Sequence, residues 1–183
     1  MAEPPLRGAT APIRNVIVAA NGRMVLSSAD SELRVWSIPD GNVIQAVRGL
    51  KNCRAACLSR DGQTMAWIEG RRLHARGLQG NPSRADIDIG SSGLVRMAIH
   101  PNSTEIVTLI QPKDQGKETE LTVWAIGTRE PLVRTRHAVE SGIGEITCAA
   151  GGRDILEGRP GVGVFLWEAS SSKAPRKLSE TSS

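Results

Sequence analysis

Short β-rich apolar runs alternate with polar turns along this chain, and the alternation recurs about every 40 residues. Within residues 13–47, Asn21-Gly22 is the strongest hairpin signal, because both central positions of a type I′ turn require positive φ. Four such runs joined by tight turns predict one four-stranded antiparallel meander. The predicted strands of this first unit cover residues 15–19, 24–28, 33–38 and 43–47.

The same order of strands and turns returns three more times, which identifies an internal repeat. Gly22, Gly62 and Asn102 follow one another at intervals of 40 residues, and Trp124 and Trp167 are 43 residues apart. A polar insertion at residues 111–120 lengthens the third unit. We therefore predict an all-β fold of four antiparallel four-stranded units, at about 13–48, 53–90, 94–138 and 144–169.

The two ends of the chain have a different composition from the repeats. Residues 1–12 form an N-terminal segment that could supply a closing strand to the last unit. Residues 170–183 are rich in Ser, Lys and Pro and are expected to form a polar, disordered tail. Within that tail, 176–178 could add a short last strand.

The first unit resembles the start of a WD repeat. In that family a buried chain of hydrogen bonds links a His after a Gly, a Ser on the second strand, an Asp in the next turn and a Trp on the third strand. Ser28, Asp30 and Trp36 match three of these positions, while Ala9 stands where the His is expected.

The later units keep the third-strand Trp and little else of the family pattern. Trp124 and Trp167 hold that position in units three and four, and Arg76 holds it in unit two. The resemblance implies the blades of a β-propeller, either partial or small. A β-sandwich is the alternative, but the regular period and the matched Trp positions favour blades.

Four blades are few for such a ring, so the open faces need a cover. Two chains could pair, the chain could complete a partner's propeller, or four blades could close alone. The resemblance implies a non-catalytic scaffold or adaptor that binds protein partners of unknown identity, with self-association or completion of a propeller as further roles. The alternatives are a polyanion- or nucleic-acid-binding module and a remnant segment within a larger assembly.

The loops at one end of the blades are the predicted contacts with a partner, since loops carry function on rigid scaffolds. The insertion around Lys113 is the main candidate, and a solvated insertion without function is its alternative. The predicted loop residues are Lys51, Asn52, Arg71, Lys113, Asp114, Lys117, Glu140 and Arg159.

Charge changes this interpretation little. The net charge is +4 and the sequence pI is about 9.3, but Lys and Arg are spread along the chain. The densest basic segment, residues 71–76, is a candidate phosphate or acid site, with a solvated strand as the simpler interpretation. We expect a mildly basic surface and not a nucleic-acid site.

No motif indicates catalysis, a metal or a cofactor. Cys53, Cys57 and Cys148 have no partner ligands at metal-site spacing, so we expect reduced structural thiols. The three histidines adjoin no nucleophile motif, and the Gly-rich segments 142–144 and 158–163 lack phosphate-binding signatures. Without a signal peptide or an 18-residue apolar run, the sequence predicts no membrane association and a cytoplasmic location.

Overall fold

The computed structural model describes residues 8–78, 84–90, 93–113, 118–128, 130–138, 142–149, 151–152, 154–168 and 173–178. The chain divides into two compact units, residues 1–90 and 91–183. Each unit contains two four-stranded antiparallel sheets, and within each sheet the strands are neighbours in chain order.

Sheets 1 and 2 form unit 1. Their central strands are the most buried, because neighbouring strands flank them on both edges. Sheet 1 contains β1 (Asn15–Val18), β2 (Met24–Ser28), β3 (Glu32–Ser37) and β4 (Val43–Arg48). Sheet 2 contains β5 (Cys53–Leu58), β6 (Thr64–Glu69), β7 (Arg72–Gly77) and β8 (Arg84–Asp88).

Sheets 3 and 4 form unit 2. Sheet 3 contains β9 (Leu94–Ile99), β10 (Glu105–Gln111), β11 (Glu118–Ala125) and β12 (Pro131–Ala138). Sheet 4 contains β13 (Glu145–Cys148), β14 (Asp154–Arg159), β15 (Gly163–Glu168) and β16 (Arg176–Lys177).

Each unit has an apolar core between its two sheets. In unit 1, Leu26 and Val35 of sheet 1 belong to one buried cluster with Met65 and Trp67 of sheet 2. Unit 2 has the equivalent arrangement, with core residues of sheet 3 packed against core residues of sheet 4. The predicted all-β architecture of four-stranded meanders is confirmed.

The turns between first and second strands also join the sheets within each unit. In unit 1 the Asn21 side chain donates to the carbonyl oxygen of Asp61 at 2.9 Å. In unit 2 the His100 ring is hydrogen-bonded to the carbonyl oxygen of Gly152. The recurring turn signal of the sequence thus marks a contact between neighbouring sheets.

Two boundaries differ from the sequence expectations. The predicted insertion loop is shorter than residues 111–120, because β10 continues to Gln111 and β11 begins at Glu118. Sheet 4 extends past residue 169 into the segment expected to be a disordered tail; of the two expectations for 176–178 the structure has the short last strand, because β16 pairs with β15 through Lys177–Phe165 and Arg176–Leu166. No strand falls within the described part of the N-terminal segment, residues 8–12.

Candidate functional site: the loop end of unit 1

The third-strand tryptophans occupy one register position in three sheets. Trp36 lies opposite Val25, and its indole N–H donates to the Ser27 hydroxyl at 3.0 Å. Trp124 lies opposite Ile106 and donates to Thr108, two residues further along β10, at 2.9 Å. The bonded residue is therefore the diagonal neighbour on the second strand.

This register corrects the predicted hydrogen-bond chain. The partner of Trp36 is Ser27, and not Ser28, because side chains alternate between faces and only Ser27 shares the face of Trp36. Asp30 is half exposed and pairs with Arg14, so it lies apart from the indole. The three tryptophans Trp36, Trp124 and Trp167 are themselves buried, and at most 2% of each residue's surface is exposed.

In sheet 2 the Trp is on the second strand, and an Arg takes its usual place on the third strand. Arg76 lies opposite Met65, the position that Trp holds in the other sheets, and Trp67 takes the diagonal position. The Arg76 guanidinium lies 5.7 Å from the Trp67 ring centroid, and His74 stacks on Trp67 at 5.0 Å. Arginines lie over Trp36 and Trp124 in the same way, but the buried Trp67 indole N–H differs from theirs in having no hydrogen-bond partner among the described residues.

Sheet 4 uses a carboxylate as the diagonal partner. Trp167 donates to Glu157 at 2.9 Å, and Arg159 donates to the same carboxylate at 2.9 Å. Arg159 was predicted as a loop contact for a partner, but its side chain is only 7% exposed. The prediction is wrong for this residue because the adjacent buried Glu157 draws the guanidinium inward.

His137 of sheet 3 completes this polar cluster in unit 2. Its ring contacts Trp167 edge-on, with centroids 5.1 Å apart, and one ring nitrogen is 2.7 Å from the Thr135 hydroxyl. Burial, together with the nearby Arg159 charge, lowers the pKa of His137. The neutral ring is therefore the favoured form at this sheet-to-sheet contact.

The predicted partner-binding loops come together most clearly in unit 1. We call the surface formed by the β2–β3 turn, the β4–β5 connection and the β6–β7 turn the loop end of unit 1. The Leu50 amide donates to the Ser31 carbonyl at 3.1 Å, and the Cys53 amide donates to the Asp30 carbonyl at 3.0 Å. These bonds fix the β4–β5 connection to the neighbouring turn of sheet 1.

The same connection is also bonded to sheet 2. The Lys51 amide donates to the Glu69 carboxylate at 2.6 Å. Within sheet 2, the guanidinium of Arg54 in β5 donates to the Gly70 carbonyl of the β6–β7 turn at 2.6 Å, and burial lowers the pKa of Arg54. Three separate connections are thereby held as one hydrogen-bonded surface.

Two exposed ion pairs lie on this surface. Arg14 and Asp30 are 2.5 Å apart, with 68% and 52% of their side chains exposed. Arg71 and Asp88 are 3.4 Å apart and are 58% and 60% exposed. Exposed pairs of this kind contribute little to stability, so their charges are available for recognition.

A cavity of about 120 Å³ opens between β1 and β5 at this end. Two arginines, Arg14 and Arg54, lie in its wall with Ser28 and Asn15. The remaining wall is made by Ala29, Cys53, Ala55 and Ala56.

The other predicted loop residues lie in several places. Lys51, Asn52 and Arg71 are exposed at the loop end of unit 1, and Asn52 adopts a left-handed conformation with φ 66°. Lys113 is exposed in unit 2, two residues after the end of β10. Asp114, Lys117 and Glu140 lie outside the described residues.

The basic segment at residues 71–76 is largely engaged within sheet 2. Arg71 pairs with Asp88, and Arg72 lies 3.4 Å from Asp86. Arg76 covers Trp67, as described above. Arg71 and Arg72 each lie beside an aspartate and Arg76 lies over an aromatic ring, so the segment lacks the continuous positive field that favours polyanion binding.

The described residues hold no group of three or more His, Cys, Asp or Glu side chains arranged for a metal ion. Cys53 and Cys148 are half-buried thiols, and burial raises the pKa of each to about 11. Such thiols are poor nucleophiles and poor metal ligands at neutral pH. Among the described residues, no helix long and apolar enough to span a membrane is present.

Solved structures share this architecture, although sequence comparison finds no relative. No protein-family model matches the sequence, and no curated protein is significantly similar to it. Among solved structures, the WD40 domain of Toxoplasma gondii coronin matches with a TM-score of 0.73 and 13% identity, over 94% of this chain and 46% of that chain.

Two further structures give the same result. Hsv2 of Kluyvelomyces marxianus has a TM-score of 0.69 and 12% identity, over 94% of this chain and 56% of that one. The β-propeller domain of Myceliophteria thermophila Cps50 (Swd1) has a TM-score of 0.64 and 17% identity, over 93% and 56%. This chain spans about half the length of the structures it matches, and its described sheets have the fold of WD40 β-propeller blades.

Proposed function

We propose that this chain is a non-catalytic protein-interaction scaffold and that the loop end of unit 1 is its contact surface. The observation that carries the proposal is the hydrogen-bonded link between three connections, in which the Leu50 amide donates to Ser31 and the Lys51 amide donates to Glu69. Because these bonds fix the loop backbone, the exposed charges can meet a partner with little loss of conformational entropy.

The charge pattern of the surface supports a protein as the partner. Arg14 and Arg71 each have an acidic neighbour within 3.4 Å, so positive and negative groups alternate. A surface with charges of both signs complements a partner surface of mixed charge, whereas a polyanion binds best to a surface of positive charge alone. The cavity beside Arg14 and Arg54 is large enough for one small acidic side chain of a partner.

The WD40 fold supports this role in general terms, because loops on rigid scaffolds commonly carry binding. We further propose a cytoplasmic location. Its support is that Cys53 and Cys148 are free thiols, and free thiols are typical of a reducing compartment. Both lie in the sheets, where burial raises the pKa of each.

A charge-reversal experiment tests the contact surface. The variant Lys51→Glu with Arg71→Glu changes two exposed residues at the loop end of unit 1. The matched control, Arg23→Glu with Arg60→Glu, changes two exposed residues at the opposite end of the same sheets. Both variants alter net charge equally, so differences in binding report position.

Binding is measured by affinity capture from the native cell extract with quantitative mass spectrometry. We expect the loop-end variant to lose captured partners by about tenfold or more, while the control retains them. Equal capture by both variants would contradict the proposed surface. Circular dichroism of both variants checks that the sheets remain folded.

A further inference from the structure

The segment before β1 is attached to sheet 1 through the hydrogen bonds of one residue. The Thr10 hydroxyl donates to the Glu32 carboxylate at 2.7 Å, and the Thr10 amide donates to the same oxygen at 3.2 Å. No other hydrogen bond joins residues 8–13 to the described part of the chain. A Cβ at Gly8 would come within 2.8 Å of the Arg34 guanidinium, so this residue lies against sheet 1 as well. We call residues 8–10 the N-terminal strap.

The acceptor of these bonds is a buried carboxylate. Glu32 is 5% exposed, and it also accepts from Arg34 at 2.6 Å and from Arg48 at 3.2 Å. Burial raises the pKa of Glu32, but the bonds from Thr10, Arg34 and Arg48 lower it to about 2, with the Thr10 hydroxyl as the strongest of them. The strap is therefore held because a hydroxyl donor faces a carboxylate that stays charged.

Thr10 lies where a modifying enzyme can reach it. Residues 8–13 belong to no strand, and Thr10 itself is exposed. Arg7 precedes Thr10 by three positions, and charge patterns of this kind are what protein kinases select in their substrates. Ser37 follows Arg34 at the same spacing, but it belongs to β3 and is half-buried. Of these two hydroxyls, that of Thr10 is the accessible one.

We propose that Thr10 is a phosphorylation site and that its modification releases the N-terminal strap from sheet 1. The γ-phosphoryl group of ATP is transferred to Thr10 Oγ: an Oγ–P bond replaces the Oγ–H bond, ADP leaves, and the proton passes to solvent. The phosphate adds a charge of roughly −1.5 to −2 at pH 7 and three acceptor oxygens. The donor to Glu32 is thereby lost, and two negative groups face each other in its place.

The arginines near Glu32 do not offset this repulsion. Arg34 is 6% exposed and already donates to Glu32, so turning it toward the phosphate would leave a buried carboxylate without its partner. Arg48 is 70% exposed, and an exposed ion pair contributes little to stability. Arg14 is already paired with Asp30. A strap that moves into solvent hydrates its phosphate and loses the two hydrogen bonds of a single residue, so release is favoured.

Phosphorylation of the full chain in vitro tests the site. The chain is incubated with Mg·ATP and a serine/threonine kinase that prefers Arg three residues before its acceptor, and phosphopeptides are mapped by mass spectrometry. We expect phosphate on Thr10, and Arg7→Ala should lower its rate of formation by about tenfold or more. Arg23→Ala, at an exposed position between β1 and β2, is the control and should leave the rate unchanged. Because Ser179 follows Arg176 at the same spacing, Thr10→Ala shows which phosphate belongs to other positions.

Nuclear magnetic resonance of the phosphorylated chain tests the release. Backbone order parameters of residues 8–10 should fall below about 0.6, while those of β1 stay near about 0.85. The titration midpoint of the Glu32 carboxyl should rise by about one pH unit or more, because a donor is lost and a negative charge is added. Treatment with a phosphatase should restore both values, and in Thr10→Ala the kinase treatment should change neither.

Two results would overturn this inference. A Thr10 that the kinase leaves unmodified would remove the site. A phosphorylated Thr10 with residues 8–10 still ordered, whether held by Arg48 or by another cation, would remove the release, and unchanged order in β1 excludes misfolding as an explanation. Neither result bears on the loop-end contact surface, because both readouts report the strap and not a partner.

Discussion

Glu32 is a buried carboxylate held by three residues of unit 1. Arg34 donates to it at 2.6 Å, Arg48 at 3.2 Å and the Thr10 hydroxyl at 2.7 Å. Burial raises the pKa of Glu32, but the hydrogen bonds from Thr10, Arg34 and Arg48 outweigh that effect and lower it to about 2. The charged form is therefore the one that stabilises the fold.

This lowered pKa predicts a pH-dependent stability. Because the folded pKa lies below the ordinary value of 4.5, the contribution of Glu32 is complete above about pH 5 and is lost as pH falls toward 2. Glu32→Gln should lower the free energy of unfolding by roughly 2–3 kcal/mol at neutral pH. Urea unfolding at several pH values measures the difference from wild type.

The difference between Glu32→Gln and wild type should shrink as pH falls from about 5 toward 2, because the unfolded carboxylate is protonated near 4.5 and the folded one only near 2. Glu168→Gln, at an exposed position of sheet 4, is the control and should match wild type at every pH. A destabilisation by Glu32→Gln that is equally large at pH 3 and pH 7 would contradict this assignment.

Single buried polar residues were the hardest to predict from sequence. Ser27 and Ser28 are adjacent, and only the strand register shows which one faces Trp36. Arg159 follows a Gly and precedes a Pro, which is typical of a loop, yet it is buried because it pairs with Glu157. Both outcomes depend on neighbours across a sheet, which spacing along the chain does not give.

At the level of strands, close backbone approach explains one glycine before β13. A Cβ at Gly144 would overlap the carbonyl oxygen of Gly158 on the neighbouring strand. At Gly142, two residues earlier, the nearest atom is the Gln111 side-chain oxygen at 3.8 Å, an ordinary contact. Of these two positions, only 144 therefore requires a residue without a side chain.

Gly144→Ala should destabilise unit 2 by roughly 2 kcal/mol or more, because the strand pair must move apart. Gly142→Ala should change the free energy of unfolding by less than about 0.5 kcal/mol. Thermal and urea unfolding of the two variants make the comparison. Equal stability of both variants would show that β13 and β14 are not in the register described.

The four strands of sheet 1 lie within one residue of where alternation and turn signals predict them. Asn21-Gly22 and Asp61-Gly62 mark hairpins because glycine at φ +65° and +74° meets the turn geometry. β16 has only two charged residues, so its pairing with β15 depends on the sheet and not on its own pattern. The start of β11 at Glu118 was missed for the same reason, since Glu118–Glu120 is polar.

At the level of the whole chain, one strand register repeats in both units. Trp36, Trp124 and Trp167 each bond to the diagonal residue of the second strand. The 40-residue period predicts the repeat, and the third-strand Trp predicts the blade type. The loop end of unit 1 was predicted only in part, because the bonds of Lys51 to Glu69 and of Arg54 to Gly70 have no sequence signal.

Nuclear Overhauser contacts from the tryptophan indole N–H groups test this shared register most directly. The chain has four tryptophans, so their indole signals can be assigned one by one with single substitutions. The account predicts contacts from Trp36 to Ser27, from Trp124 to Thr108 and from Trp167 to Glu157, with slow hydrogen exchange at all three indoles. Contacts from Trp36 to Ser28 instead, or rapid exchange of these buried groups, would contradict it.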